Sequence, residues 1–174
     1  MASTYTLISS NTLSSSAASV TFSSIPSTYT DLVLRVSARS DNGGSSYDYC
    51  NLVFNSDTAA NYSETWIRGN GSTAASSRST GDIALFGIFA ADGNTATANT
   101  FGNTEFYIPN YTSTANRPVG QFGVTETNAT AALMAAQAAL YRGTSAISRI
   151  DIQPYAGTNW LTGSSFYLYG IKNS

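Results

Sequence analysis

The feature that most constrains the fold is a set of short segments in which apolar and polar residues alternate. Residues 31–40, DLVLRVSARS, are the clearest example. In an extended strand, successive side chains point to opposite sides. One side of this segment holds Leu32, Leu34, Val36 and Ala38. The other side holds Val33, Arg35, Ser37 and Arg39. The pattern predicts a half-buried strand with an arginine-bearing outer side.

Similar segments recur along the chain, separated by clusters of Ser, Thr, Gly and Asn, which is typical of an all-β protein. The strands predicted in this way cover residues 5–8, 20–22, 31–40, 50–55, 62–68, 83–89, 101–111, 119–126, 148–153 and 166–171. Residues 1–174 are therefore predicted to form a single-domain antiparallel β-sandwich, jelly-roll-like, with about ten strands. Residues 1–10 are interpreted as an arm or as the first strand.

Three segments lack this simple pattern. Residues 69–81 and 90–100 have few apolar side chains and are predicted to be surface loops. Residues 129–141, ATAALMAAQAALY, are rich in strong helix formers but also alternate. Because the rest of the chain is β-rich, a strand is favoured there, and a helix remains the alternative.

The charge content excludes several classes of partner. The chain has 8 basic and 10 acidic residues, a net charge of −2, and no run of basic residues. Binding to nucleic acid or to an anionic membrane surface is therefore disfavoured. No apolar run approaches the roughly 20 residues that span a bilayer. The start, MASTYTLISS, lacks the basic and apolar regions of a secretory signal.

Catalytic chemistry has few candidate residues. The absence of histidine removes Ser-His-Asp and Cys-His catalysis and most zinc sites. Cys50 falls within a predicted strand and is interpreted as a buried apolar residue. A carboxylate pair remains open because spacing alone cannot show whether two glutamates meet. Parity in 62–68 groups Glu64 with Trp66 and opposite Ile67. Because Glu64 and Glu105 each fall on the side of a strand opposite the aliphatic residues, both are predicted to be solvated or to face a subunit. The sequence thus favours a protein that is not an enzyme and predicts no cofactor or metal site.

Residues 101–111, FGNTEFYIPNY, carry four aromatic side chains in a short span. Parity predicts a buried side with Gly102, Thr104, Phe106 and Ile108. The opposite side holds Phe101, Asn103, Glu105, Tyr107, Pro109 and Tyr111. Pro109 cannot donate a ladder hydrogen bond, so the strand is predicted to end there or to lie at an edge. Tyrosines beside a carboxylate favour a contact face for a neighbouring subunit.

Several segments resemble β-rich structural proteins of tailed bacteriophages that infect aquatic bacteria. They are the Phe54-Asn55 pair and residues 19–40, 61–72, 99–114 and 165–174. The resemblance implies a virion protein, either a capsid decoration (cement) protein or the tip of a tail fibre. Strand-like sequence begins by Tyr5, with no long segment for a fibre shaft. This favours a decoration protein that stabilises capsomer contacts.

The resemblance also implies partners and a location. The expected partners are the major capsid protein and copies of this chain, as a homotrimer made in the host cytoplasm and bound to the capsid exterior. The predicted contact residues are Arg35, Arg39, Trp66, Glu105, Tyr107 and Tyr111. In the fibre-tip alternative, the partner is a host surface glycan, and the stacking residues are Trp66, Tyr107, Tyr111 and Trp160.

Overall fold

A computed structural model describes residues 4–172, which form twelve strands in two antiparallel sheets. In chain order, the strands are β1 (Tyr5–Thr12), β2 (Val20–Phe22), β3 (Asp31–Ala38), β4 (Tyr47–Phe54), β5 (Tyr62–Gly69), β6 (Ala74–Asp82), β7 (Leu85–Asp92), β8 (Gly102–Ile108), β9 (Arg117–Glu126), β10 (Ala132–Tyr141), β11 (Ile150–Pro154) and β12 (Ser165–Ile171). The predicted all-β sandwich is confirmed. Residues 1–3 of the predicted arm or first strand lie outside the described residues.

The two sheets differ in size. The larger has eight strands in the order β1-β12-β3-β8-β9-β10-β5-β6, and the smaller has four in the order β2-β11-β4-β7. The chain passes repeatedly between them, for example from β3 in the larger sheet to β4 in the smaller and back to β5. Across residues 4–172, no helix is long and apolar enough to cross a membrane.

The core lies between the sheets. It contains Leu32 and Leu34 of β3, Leu52 of β4 and Phe106 of β8, all fully buried. Cys50 also faces this core, and burial raises the pKa of its thiol. The thiol packs so closely on Gly87 that a Cβ at that position would lie 2.5 Å from the sulfur. The interpretation of Cys50 as a buried apolar residue is therefore confirmed.

The helix-or-strand alternative at 129–141 is settled in favour of strand β10. Its alternation places Ala135, Ala139 and Tyr141 inside, while Met134 and Ala136 are exposed. The strand pairs with β9 on one side and with β5 on the other over its length. Ladder pairing on both sides outweighs the helix propensity of the alanines.

The prediction of a surface loop at 69–81 is wrong for most of that segment. Residues 74–82 form β6, the last strand of the larger sheet, which pairs with β5. Most of its side chains are exposed, so the strand needs no apolar alternation and is held by backbone hydrogen bonds. The loop predicted at 90–100 begins only after Asp92, where β7 ends.

Candidate functional site

The side of the larger sheet that faces away from the smaller sheet is here called the outer face. Strand register places Arg35 of β3, Glu105 of β8 and Phe122 of β9 side by side on it. The Arg35 Nε donates to Glu105 Oε2 at 2.7 Å, and both side chains are about half exposed. The rings of Tyr5 and Tyr169 lie 5.9 and 5.7 Å from the guanidinium carbon. Arg35 is thus held between a carboxylate and two rings.

Tyr107 lies next to this group. Tyr107 is opposite Val33 and two residues after Glu105 on β8, so the two side chains lie on the same face. The residue is 42% exposed. Its hydroxyl donates to Asp31 Oδ2 at 2.8 Å, and this bond raises the pKa of Tyr107. The structure therefore brings together three of the predicted contact residues, Arg35, Glu105 and Tyr107.

The other half of the outer face is apolar. The row that contains Phe122 continues through Ala136 of β10 to Ile67 of β5. Met134 lies beside this row, and Ala74 is paired with Gly69 at the sheet edge. Six of the exposed large apolar side chains lie on the outer face: Tyr5, Leu7, Ile67, Tyr107, Phe122 and Met134. Ile67, Phe122 and Met134 form one apolar patch across β9, β10 and β5, whereas Tyr5, Leu7 and Tyr107 lie in the half of the face that holds Arg35 and Glu105. An exposed apolar patch of this kind marks an interaction site in folded proteins.

Two predicted contact residues are enclosed within the chain. Tyr111 is fully buried, and its hydroxyl donates to the carbonyl of Pro26. Strand β8 ends at Ile108, as Pro109 predicted, and Asn110 then adopts a φ of 47°. The turn breaks the alternation that placed Tyr111 beside Tyr107, so the prediction that it faces outward is wrong.

Arg39 is the second enclosed residue, with only 8% of its surface exposed. It lies just beyond the end of β3, in a bridge with Asp92. Its guanidinium donates to the carbonyls of Asn94, Ala96, Thr97 and Thr100 at 2.8–3.2 Å. Arg39 therefore orders the loop that follows β7 and is not part of the outer face.

The aromatic residues predicted for glycan stacking do not form one platform. Trp160 is fully buried against Phe166, and its indole Nε1 donates to the carbonyl of Ile152 at 3.2 Å. Its assignment to a glycan surface is wrong. Trp66 is partly exposed but lies on the opposite side of the sheet from Tyr107, because β5 turns Trp66 inward and Ile67 outward.

Trp66 instead lines a cleft between the β5-β6 edge of the larger sheet and β7. We call it the carboxylate cleft and define it by Glu64, Trp66, Asp82, Phe86 and Tyr155. Its volume is about 370 Å³, within the range of small-molecule sites. The rings of Phe86 and Tyr155 lie 4.7 Å apart at 78°, so they form two nearly perpendicular walls.

Glu64 is the central residue of this cleft. Only 5% of its surface is exposed and its strand turns it away from the outer face, so the prediction that it is solvated or faces a subunit is wrong. The backbone N–H of Phe86 donates to it. Burial, followed by the negative charge of Asp82, raises the pKa of Glu64 to about 7. Asp82 is held by Ser79, whose hydroxyl donates to Asp82 Oδ1 at 2.7 Å.

Sequence reasoning missed Asp82, Phe86 and Tyr155 as members of a site. Asp82 directly follows the segment 69–81 interpreted as a loop, Phe86 lies in an apolar run, and Tyr155 follows a strand more than 60 residues later. The available signal was the alternation of 62–68, which placed Glu64 on the same side as Trp66. Among residues 4–172, no group of three or more His, Cys, Asp or Glu side chains is placed to hold a metal ion.

Comparison of the chain with protein-family models, with curated proteins and with solved structures gave no match. The fold and the site define an all-β sandwich with an open apolar sheet face and a separate carboxylate cleft. Its function is therefore argued from these two surfaces.

Proposed function

We propose that this protein is a structural subunit of a tailed-bacteriophage virion and that it binds its neighbours through the outer face. The observation that carries the proposal is the apolar half of that face, where Ile67, Phe122 and Met134 are all exposed on neighbouring strands. An apolar surface left open in an isolated subunit is stabilised when a partner covers it. The low charge of the chain supports the same role, because charged residues are depleted at the centres of interfaces.

The particular role proposed is that of a capsid decoration protein. The sequence resemblance supports this role. It also supports the proposed partners, which are the major capsid protein and two further copies of this chain. Arg35, Glu105 and Tyr107 provide polar contacts beside the apolar half of the outer face. Many such contacts acting together stabilise capsomers through avidity, even where each contact is weak.

A second candidate is a fibre-tip module that binds a host surface glycan. Its supporting observation is the partly exposed Trp66 in the carboxylate cleft, since an indole ring can stack on a sugar. Of the other residues predicted for this role, Tyr111 and Trp160 are buried and Tyr107 is on the outer face. This candidate therefore rests on the cleft, whereas the decoration role rests on the outer face.

Two isoleucines with the same exposure distinguish the candidates. Ile67 lies on the outer face and Ile83 lines the carboxylate cleft, and each is 63% exposed. Virions assembled without this protein would be incubated with wild type, Ile67→Glu or Ile83→Glu, and bound protein would be measured by co-sedimentation and cryo-electron microscopy. The decoration role predicts a loss of at least about tenfold for Ile67→Glu and little change for Ile83→Glu.

The opposite pattern would favour the fibre tip, especially if Ile83→Glu also abolished adsorption to host cells. Wild type that neither binds such virions nor restores their heat resistance would overturn the decoration role. Both substitutions are at exposed positions, so each variant should keep its fold, with a change in unfolding free energy within about 0.5 kcal/mol. Light scattering of the purified protein tests the expected trimer.

A further inference from the structure

The carboxylate cleft contains two acidic oxygens that lack donors. Glu64 Oε2 and Asp82 Oδ2 are both shielded from solvent and accept no hydrogen bond within the described chain. Leaving a buried charged acceptor without a donor is unfavourable, and native proteins rarely retain such groups without a reason. A ligand that brings donors to this cleft would relieve the deficit.

The two carboxylates converge because of the β5-β6 pairing. Glu64 is directly opposite Ser79 in the ladder, and Ser79 holds the other oxygen of Asp82. The charged group that acts on Glu64 is Asp82, which has the same sign. The cleft therefore concentrates negative charge, and a cation would be more strongly favoured there than a neutral group.

The walls of the cleft are aromatic. Phe86 and Tyr155 meet nearly at right angles, and Trp66 adds a third ring. Arg68 already lies over the Trp66 ring, with its guanidinium carbon 5.4 Å from the ring centroid. Rings arranged around carboxylates are the chemistry that proteins use to bind organic cations.

We propose that the carboxylate cleft binds a primary ammonium group, which donates to Glu64 and Asp82 while its carbon chain packs on Phe86 and Tyr155. This site is independent of the decoration role and of the outer face, and it lies in the cleft on which the fibre-tip candidate rests. The cleft volume of about 370 Å³ suits a group the size of an alkylamine, a lysine side chain or an amino sugar. A calcium ion fits less well, since it requires six to eight oxygen ligands and only two carboxylates are present.

Three small probes separate the contributions that positive charge, N–H donors and apolar surface make to binding in the carboxylate cleft. They are n-butylammonium, n-butyltrimethylammonium, which has the charge without N–H donors, and 1-butanol, which is neutral. Binding is followed by the indole N–H resonance of Trp66, with the buried Trp160 as an internal reference. n-Butylammonium should give a saturable shift of Trp66 alone. The trimethylated probe should bind at least about tenfold more weakly, and 1-butanol should give no saturable shift.

Two glutamine variants locate the binding. Glu64→Gln should weaken n-butylammonium by at least about tenfold, whereas the matched Glu105→Gln, on the outer face, should bind as wild type does. Wild-type affinity should also rise as the pH increases through the pKa of Glu64, about 7, because Glu64 then gains its charge. That profile tests the site even if Glu64→Gln does not fold.

The source of the ammonium group is tested with Nα-acetyl-lysinamide and methyl glucosaminide, with methyl glucoside as the neutral control. Tighter binding of the first identifies a lysine side chain, and tighter binding of the second identifies an amino sugar. If 1-butanol or methyl glucoside binds as tightly as its amine counterpart, the proposal is overturned in favour of a neutral ligand. It is also overturned if n-butylammonium leaves Trp66 unshifted.

Discussion

The enclosed part of the molecule and its outer face use the same residue types in different ways. Phe106 and Phe122 lie on the paired strands β8 and β9, yet Phe106 is fully buried and Phe122 is 49% exposed. Arg35 and Arg39 are four residues apart. Arg39 binds four backbone carbonyls in the interior, while Arg35 meets Glu105 at the surface. Residue type alone does not determine these roles, because strand register and strand ends decide which side chains are enclosed.

Glu105 on the outer face and Glu64 in the carboxylate cleft differ in the charged groups that surround them. Glu105 has Arg35 beside it and is about half exposed. Glu64 is buried near Asp82, with a raised pKa. Glu105 therefore has a basic partner on the outer face, whereas Glu64 Oε2 and Asp82 Oδ2 in the cleft accept no hydrogen bond within the described chain.

The largest difference is expected between the two phenylalanines. Phe106→Ala should lower the free energy of unfolding by about 3–5 kcal/mol, because it leaves a cavity between the sheets. Phe122→Ala should lower it by less than about 1 kcal/mol, since that ring is half exposed. Urea unfolding of both variants measures the difference. Equal losses would show that the outer face is already covered in the isolated protein.

The arginines should differ by a smaller amount. Arg39→Met should lower the free energy of unfolding by about 2–4 kcal/mol, because four carbonyls near the 93–101 loop lose their donor. Arg35→Met should cost less than about 1 kcal/mol, as exposed ion pairs do. Limited proteolysis would also show faster cleavage in 93–101 for Arg39→Met alone. An intact loop in that variant would argue against the anchoring role.

Glu64 should make the stability of the fold depend on pH. Because the pKa of Glu64 is raised from 4.5 to about 7 in the folded protein, its ionisation destabilises the fold as the pH rises through that interval. The penalty is absent below the lower value and complete above the higher one, at about 3 kcal/mol. Stability of wild type relative to Glu64→Gln should therefore fall by that amount between about pH 4 and pH 8.

Sequence alternation predicted regular strands well. In β8 it identified Gly102, Thr104, Phe106 and Ile108 as the buried side, and all four are buried. It failed where regular geometry stops. Tyr111 follows the turn at Asn110, so parity no longer applies to it.

The cleft could not be predicted from alternation for a different reason. Parity correctly grouped Glu64 with Trp66 and opposite Ile67, but the apolar side was taken as the buried one. On β5 the apolar Ile67 faces outward, in the same row as Ala136 and Phe122 on the apolar half of the outer face. The polar strand β6, which supplies Asp82, resembles a loop in composition since both of its sides are largely exposed.

Cys50 gives the molecule a built-in chemical reporter. Its thiol is enclosed against Gly87, and its raised pKa keeps it protonated, so alkylating reagents cannot attack it while the two sheets remain together. As the chain has a single cysteine, the rate of labelling follows how often the sandwich opens at β4 and β7. A partner that stabilises the packing of the two sheets would lower the labelling rate of Cys50 without contacting this residue. The labelling rate therefore reports the binding of such a partner.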